Sequence, residues 1–234
     1  MNTGPALPGW YGKLPALGDF ASRRLAPDFI EFWDGWLAEG LQTLQASHPA
    51  GWLDAYLVSP TWRFLLTPGC LPGNLGQQAW AGVLMPSVDR VGRYYPFTLL
   101  HPLAQTPLSL HGLQALWQEL GRLDDVAADA LQDDWSAERL EAELAELATS
   151  SLKLRDGPVA PVVADLALVA GELRVLPSSL DGAGQIAGEA LQLWGPQAGG
   201  RSYWLAGAAS GTANLQNWRV CNGLPRSAAA LLGG

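Results

Sequence analysis

The segment Trp80-Ala81-Gly82-Val83-Leu84-Met85 carries no charged or hydrogen-bonding aliphatic side chain. A strand with one wet face alternates polar and apolar residues, so an unbroken apolar run of this length reads as a strand buried on both faces of its sheet. The chain must then supply cover for both sides. One covering element starts at Pro27, which suits a first helical turn. Asp28 and Glu31 favour the positive end of the helix dipole, and Phe29, Trp33, Trp36, Leu37, Leu41 and Leu44 recur at helical spacing up to the break at His48-Pro49-Ala50-Gly51. Two more lie downstream. Leu110, Leu113, Trp117 and Leu120 form one stripe, and after Ser136, a candidate N-cap, Leu140, Leu144 and Leu147 form another.

The strands are read from shorter runs. Trp10 opens an aromatic strand that breaks at Pro15 and reverses at Gly18-Asp19, and Trp62 to Leu66 is a second. Tyr95 to Leu100 is a third, with Pro96 placing it at a sheet edge or marking its start. Val162–Val169 and Leu173–Leu176 read as a hairpin, Ser202–Ala206 and Gln216–Cys221 as two further strands, and an Ala/Leu-rich helix follows. Trp52 to Val58 is ambiguous, and Ile186 to Trp194 is a weak helix with Gly188 inside it. With no repeat and no long linker, residues 1–234 read as one α/β domain, its sheet mixed or mostly antiparallel and flanked by helices.

Composition narrows the function. A net charge of −8 argues against nucleic acid as the main ligand, because phosphate binding relies on clustered Lys and Arg. The charge is local: residues 111–150 hold ten acids against Arg122 and Arg139, and the rest of the chain is balanced. Those acids read as a solvated helix face. Cys70 and Cys221 stand far apart without a CxxC spacing, which suits a reducing compartment. The start MNTGPALPGW has neither basic nor apolar signal character and no run approaches a membrane span, so the cytoplasm is the expected location. Eleven tryptophans exceed what one core is expected to take up, and some are predicted at a binding surface.

Catalytic constellations are weak. Gly12-Lys13 resembles the end of a phosphate loop, but Leu7 and Leu14 occupy positions that need glycine and a hydroxyl residue. Lys13 reads as a snorkelled surface lysine. His48, His101 and His111 have no partners at ligand spacing, so no metal is expected. Ser87, His101 and Asp89 could form a triad only on paper, since the GxSxG elbow is missing. The informative segment is Met85-Pro86-Ser87-Val88-Asp89-Arg90-Val91-Gly92-Arg93-Tyr94-Tyr95-Pro96, a loop leaving and re-entering the sheet at prolines. Its Arg90 and Arg93 suit recognition of carboxylates or rings, and Asp89 either braces the loop through an arginine or orients one for a partner. Arg23 and Arg24, after Phe20, supply a second basic spot. If these four arginines share a face, they would steer an oppositely charged protein.

Gly9-Trp10-Tyr11-Gly12-Lys13-Leu14-Pro15, Gly18-Asp19-Phe20, Ser59-Pro60 with Trp62-Arg63-Phe64, and Gly82 to Arg93 followed by Tyr95-Pro96 resemble the TagF (ImpM) family associated with bacterial type VI secretion. The four motifs appear in order and cover about residues 9–105, with the acidic helices at 109–150 beyond them. Leu17 departs from the polar or basic residue common before the Gly-Asp-Phe. The resemblance implies a longin-like or signal-recognition-receptor-like sandwich. It also implies a non-enzymatic cytoplasmic regulator without cofactor, one that represses assembly of the secretion machine after translation by binding a forkhead-associated scaffold protein. Some members carry a fused phosphatase domain, for which this chain has no room. Asp19, Phe20, Arg23, Arg90, Arg93 and Tyr94 are the candidate partner-binding residues. The rival reading is a small-molecule sensor or enzyme using the loop from Ser87 to Arg93.

Overall fold

The computed structural model of the chain describes residues 7–103, 110–150, 170–176, 199–206 and 218–233. In chain order these form β1 (Gly9–Lys13), β2 (Phe20–Arg23), α1 (Pro27–Ser47), α2 (Trp52–Leu57), β3 (Trp62–Leu66), β4 (Ala79–Met85), β5 (Phe97–Leu103), α3 (Leu110–Gln132), α4 (Ala137–Ser150), β6 (Arg174–Leu176), β7 (Arg201–Ala206), β8 (Trp218–Asn222) and α5 (Ala229–Leu232). The strands make one eight-stranded sheet in the order β2-β1-β5-β4-β3-β7-β8-β6. Every pairing between them is antiparallel.

The all-apolar strand lies where its composition demands. All seven residues of β4 are buried between β3 and β5. Its side chains alternate between two cores: Ala81, Val83 and Met85 join Leu113, Leu116, Trp117, Leu120, Leu140 and Leu144 of α3 and α4. Trp80 and Leu84 face the other way, into Phe29, Trp33, Trp36, Leu37, Leu41 and Leu44 of α1, Tyr56 of α2 and Leu231 of α5. The fold is a helix, sheet, helix sandwich of the α/β class.

Pro96 precedes β5 by one residue, and β5 is an interior strand between β1 and β4. Of the two roles open to that proline, it marks the start. The N-cap role of Ser136 is realised, since its hydroxyl accepts the Arg139 amide at 3.2 Å. The acidic helices are tied inward as well as solvated: on α3, Asp124 accepts from Arg63 Nε of β3 at 2.9 Å. Burial pushes the Asp124 carboxyl up, and Arg63 opposes that shift. The ambiguous segment at Trp52 is a single short helix, and β2 appears where only a turn was read. Leu173–Leu176 contains β6, which pairs with β8; its predicted hairpin partner Val162–Val169 and the weak helix Ile186–Trp194 lie outside the described residues.

Most of the described tryptophans are interior, and Trp52, half-buried against Tyr94, is the exception. Trp10, Trp33, Trp36, Trp62, Trp80, Trp117, Trp135 and Trp204 are all buried. A sheet covered on both faces provides two cores, and each ring finds room in one of them. Four of these indole donors are matched inside the protein: Trp33 donates to Thr98 Oγ1 at 3.0 Å, Trp36 to the Pro225 carbonyl at 3.0 Å, Trp62 to the Leu231 carbonyl at 2.7 Å and Trp80 to the Leu75 carbonyl at 3.0 Å, whereas Trp204 Nε1 is buried with no partner. Burying the ring without losing the hydrogen bond removes the usual reason for an indole to stay at a surface. Trp33, Trp36, Phe64 and Trp204 pack ring to ring at centroid distances of 4.9 to 6.0 Å, joining α1 to the sheet.

Candidate functional site

The loop between β4 and β5 is a tight hairpin built around Asp89. Oδ1 of Asp89 accepts the backbone amides of Val91 at 3.1 Å and Arg93 at 2.8 Å, and Oδ2 accepts Arg93 Nε at 2.6 Å and Lys13 Nζ at 3.2 Å. The Asp89 amide donates to the Arg93 carbonyl and the Tyr95 amide to the Ser87 carbonyl, which closes the hairpin, and Gly92 turns at its tip with φ of 80°. Burial alone would push the Asp89 carboxyl up. The bonds from Arg93, Lys13 and Val91 outweigh it and hold the group well below the usual carboxylate range. Asp89 is thus the brace of its own loop, and the tip residues Arg90, Val91 and Gly92 are left exposed.

Lys13 was read as a surface residue, and it is 4% exposed. Its ammonium pairs with Asp89 and lies 5.1 Å from the centre of the Phe20 ring. The glycine before it serves packing: Gly12 has φ of 125°, and a Cβ there would stand 2.2 Å from the Pro96 carbonyl oxygen. Close approach of β1 to the hairpin requires a residue without a side chain. Ser87 is fixed in the same region, donating its hydroxyl to the Lys13 carbonyl at 2.8 Å. Its amide donates to Tyr56 Oη at 2.9 Å, and that hydroxyl donates to the Ser87 carbonyl at 3.0 Å. His101 pairs with Ala81, four ladder positions from the Phe97 end of β5 where the hairpin begins, and takes no part in these bonds. The structure does not bring Ser87, Asp89 and His101 together as a triad.

Two neighbours hold the hairpin. On one side Arg93 Nη2 donates to the Gly18 carbonyl, tying the hairpin to the turn between β1 and β2. In that turn Asp19 Oδ1 accepts the Phe20 amide at 2.8 Å, and the Phe20 ring stands edge-on to Tyr95 at 4.7 Å. Tyr11 and Tyr95 both donate to Oδ1 of Asp34 on α1, Tyr95 at 2.5 Å. Burial and then the Asp34 carboxylate raise both phenols. On the other side Tyr94 packs edge-on against Trp52 at 5.7 Å and Tyr56 at 6.2 Å, both on α2. Among the described residues the exposed large hydrophobic side chains are Leu17, Phe20, Leu57, Val58 and Val91, and all belong to the hairpin, the turn it grips or the end of the helix it rests on.

The arginines do not form one free basic face. Arg90 pairs with Asp134 in the turn between α3 and α4 at 3.3 Å, both partners exposed. Arg24 binds Glu141 of α4 and the Pro8 carbonyl, and Glu141 also accepts Trp10 Nε1 at 2.6 Å. Arg23 lies 5.5 Å over the Trp10 ring with Nη1 on the Ser22 carbonyl. Glu141 of α4 and Asp134 of the α3–α4 turn supply carboxylates to Arg24 and Arg90, which corrects the picture of a basic patch standing in contrast to the acidic segment. Sequence reasoning missed Lys13, Tyr11, Asp34 and Tyr95 as members of the site. The available signals were that Tyr11, Lys13 and Tyr95 lie in the motif segments and that Lys13 is among only two lysines in the chain.

Among the described residues no group of three or more His, Cys, Asp or Glu could hold a metal ion, and no helix is long and apolar enough to cross a membrane. A family model described as the TagF N-terminal domain, type VI secretion system-associated, matches residues 9–147. Among solved structures, the chain is similar to PA0076 from Pseudomonas aeruginosa PAO1, with 34% sequence identity, coverage of 97% of this chain and 92% of that chain, and a TM-score of 0.62. No curated protein matches the chain.

Proposed function

The chain belongs to the TagF family of type VI secretion-associated proteins, and from that premise we propose that it is a non-enzymatic cytoplasmic regulator that represses assembly of the secretion machine by binding a forkhead-associated scaffold protein. In this reading residues 1–234 act as one unit and the β4–β5 hairpin with its flanking turn is the recognition element. The observation that carries the reading is the hairpin itself: a loop inside the matched family segment, rigidly braced by Asp89, that carries Arg90 and Arg93 at one end of the sheet and grips the turn before Phe20, while Tyr94 anchors it to α2. Asp19 shapes the turn beneath Phe20, and Arg23 extends the same edge along β2. The alternative of a ligand-binding loop draws no support from Asp89 or Ser87, since each is engaged by the protein's own groups.

Two measurements test this. The purified chain should capture the forkhead-associated scaffold encoded in the same genome, and overproducing the chain should lower release of the secretion system's own exported tube protein while deleting it raises release. Absence of capture together with unchanged release in both strains would end the proposal.

A further inference from the structure

We propose that Arg219 of β8 is the receptor for a single carboxylate supplied from outside the chain, bound on the α1 side of the sheet with the Trp204 indole as a second donor. Charge pairing sets this arginine apart. Lys13, Arg24, Arg63, Arg90 and Arg93 each contact a carboxylate. Among the described residues Arg219 contacts none. Its Nη1 donates to the Ala230 carbonyl at 2.6 Å, and its Cζ lies 4.5 Å from the centre of the buried Trp62 ring. Its Nε is buried without a hydrogen-bond partner. Burial pulls the guanidinium below its ordinary value, and no acid opposes the shift. A cation taken out of water without a counter-charge is costly, and an apolar side chain would cover Trp62 without that cost.

The neighbour across the ladder is open as well. Trp204 of β7 pairs with Arg219, and both lie on the face that α1 and α5 cover. Residues opposed in this way hold their Cβ atoms about 4.5–5.5 Å apart. Trp204 is fully buried, yet its Nε1 has no acceptor. Folded interiors leave few donors open, so two on facing residues point to one acceptor that comes from elsewhere. The guanidinium is shaped to receive it. With Nη1 held by Ala230, the Nε–Nη2 edge remains, and its parallel N–H groups match the two oxygens of a carboxylate. Stacking on Trp62 fixes the plane of the fork, so little ordering is left for the ligand to impose. Arg219 is half-buried, which leaves its outer end within reach of solvent while Nε lies inside. Charge then selects among oxyanions. One guanidinium neutralises a carboxylate, whereas a phosphate dianion would keep a net charge in a partly dry place. The same chemistry serves a carboxylate on a polypeptide and one on a small free acid.

The experiment follows the Arg219 Nε–H and Trp204 Nε1–H nuclear magnetic resonance signals of the isotope-labelled full chain during addition of sodium formate, with sodium chloride at matched ionic strength as reference. Formate should displace both signals saturably with a Kd of about 1–20 mM, and chloride should not. Inorganic phosphate at about pH 7.5, largely a dianion there, should bind about 5-fold more weakly or worse. Arg219→Lys keeps the charge and loses the fork, so formate binding read at Trp204 should weaken by about 10-fold or more. Trp204→Phe, read at Arg219, should weaken it by about 3-fold or more. The Trp33 and Trp62 indole signals, each fixed by an internal bond, report that a variant is folded. Should Arg219→Lys lose them, Trp204→Phe decides alone. Acetyl-Gly-Glu-Gly-amide and acetyl-Gly-Gly-Ala with a free terminus identify the source: a peptide more than about 3-fold tighter than formate makes the ligand a polypeptide carboxylate, and otherwise it is a small free acid. Signals that track ionic strength alone, that respond equally in the folded variants, or that favour phosphate overturn the proposal, and the two donors are then served by water.

Discussion

Replacing Gly12 by alanine should unlatch the hairpin from β1. At φ of 125° an added Cβ would sit 2.2 Å from the Pro96 carbonyl oxygen and 3.0 Å from Phe97 Cα, both backbone atoms that no rotamer change can move aside. The unfavourable backbone region costs roughly 1–3 kcal/mol. Displacing the backbone at Pro96 adds roughly 1–3 kcal/mol, as overpacking does elsewhere. The sum is about 4 kcal/mol, a large part of the roughly 5–15 kcal/mol that holds a domain folded. At about 2–4 °C per kcal/mol for a chain this long, the melting temperature should fall by roughly 8–16 °C. Gly35 is the control: it lies exposed in α1 with nothing within 4 Å of an added Cβ. There the same substitution should gain about 0.5–1 kcal/mol from helix propensity and unfolded-state entropy. Urea unfolding followed by tryptophan fluorescence reads both variants. A Gly12→Ala loss below about 1 kcal/mol, or a sign shared with Gly35→Ala, would refute the reasoning.

Asp124→Ala leaves the Arg63 guanidinium without its carboxylate; with side chains 23% and 11% exposed, the pair is partly hydrated, so the loss should be about 2–3 kcal/mol and Arg63→Met with Asp124→Leu should recover most of it in urea denaturation. Burial pushes His101 below its ordinary value of 6.5 by more than Glu119 and the Pro102 carbonyl pull it back, so the unfolded chain binds this proton more readily. Stability contributed by neutral His101 is therefore complete above about pH 6.5 and declines as pH falls below it, and His101→Gln should flatten the difference in melting temperature between about pH 7.5 and about pH 5.5. Asp124, shifted up, acts in the opposite direction but near the carboxylate range. Cys70 and Cys221 are free and buried, with burial pushing the Cys70 thiol up to about 12, so neither should react with Ellman's reagent at about pH 8 until urea unfolds the protein.

The sheet and its helical cover were legible because they rest on local periodicity. Trp62 to Leu66 and the α1 stripe need no distant residue to declare themselves. The strand at Phe20–Arg23 was hidden because four residues ending in arginine carry no alternation long enough to read, and their pairing with β1 comes from the reversal at Gly18. Trp52–Leu57 spans too few residues for a helical period to show. Polar geometry was the least visible. Lys13 is buried only because Asp89, 76 positions later, reaches it, and Asp34 gathers Tyr11 and Tyr95 from opposite directions along the chain. Eight tryptophans went inside because the number of available cores depends on topology, which single-residue counting leaves out. Of the candidate partner residues, the structure places Asp19, Phe20, Arg93 and Tyr94 in one assembly, with Arg90 at its tip and Arg23 along β2.

The short helix α5 and the residues before it receive donors from three distant places: Trp36 bonds the Pro225 carbonyl, Arg219 the Ala230 carbonyl and Trp62 the Leu231 carbonyl. A nascent chain still missing residues 225–231 would carry those donors toward an interior with nothing to receive them. The core beneath α1 is then sealed only once that stretch has emerged from the ribosome, which exposes the unsealed form to chaperones and proteases in the interval.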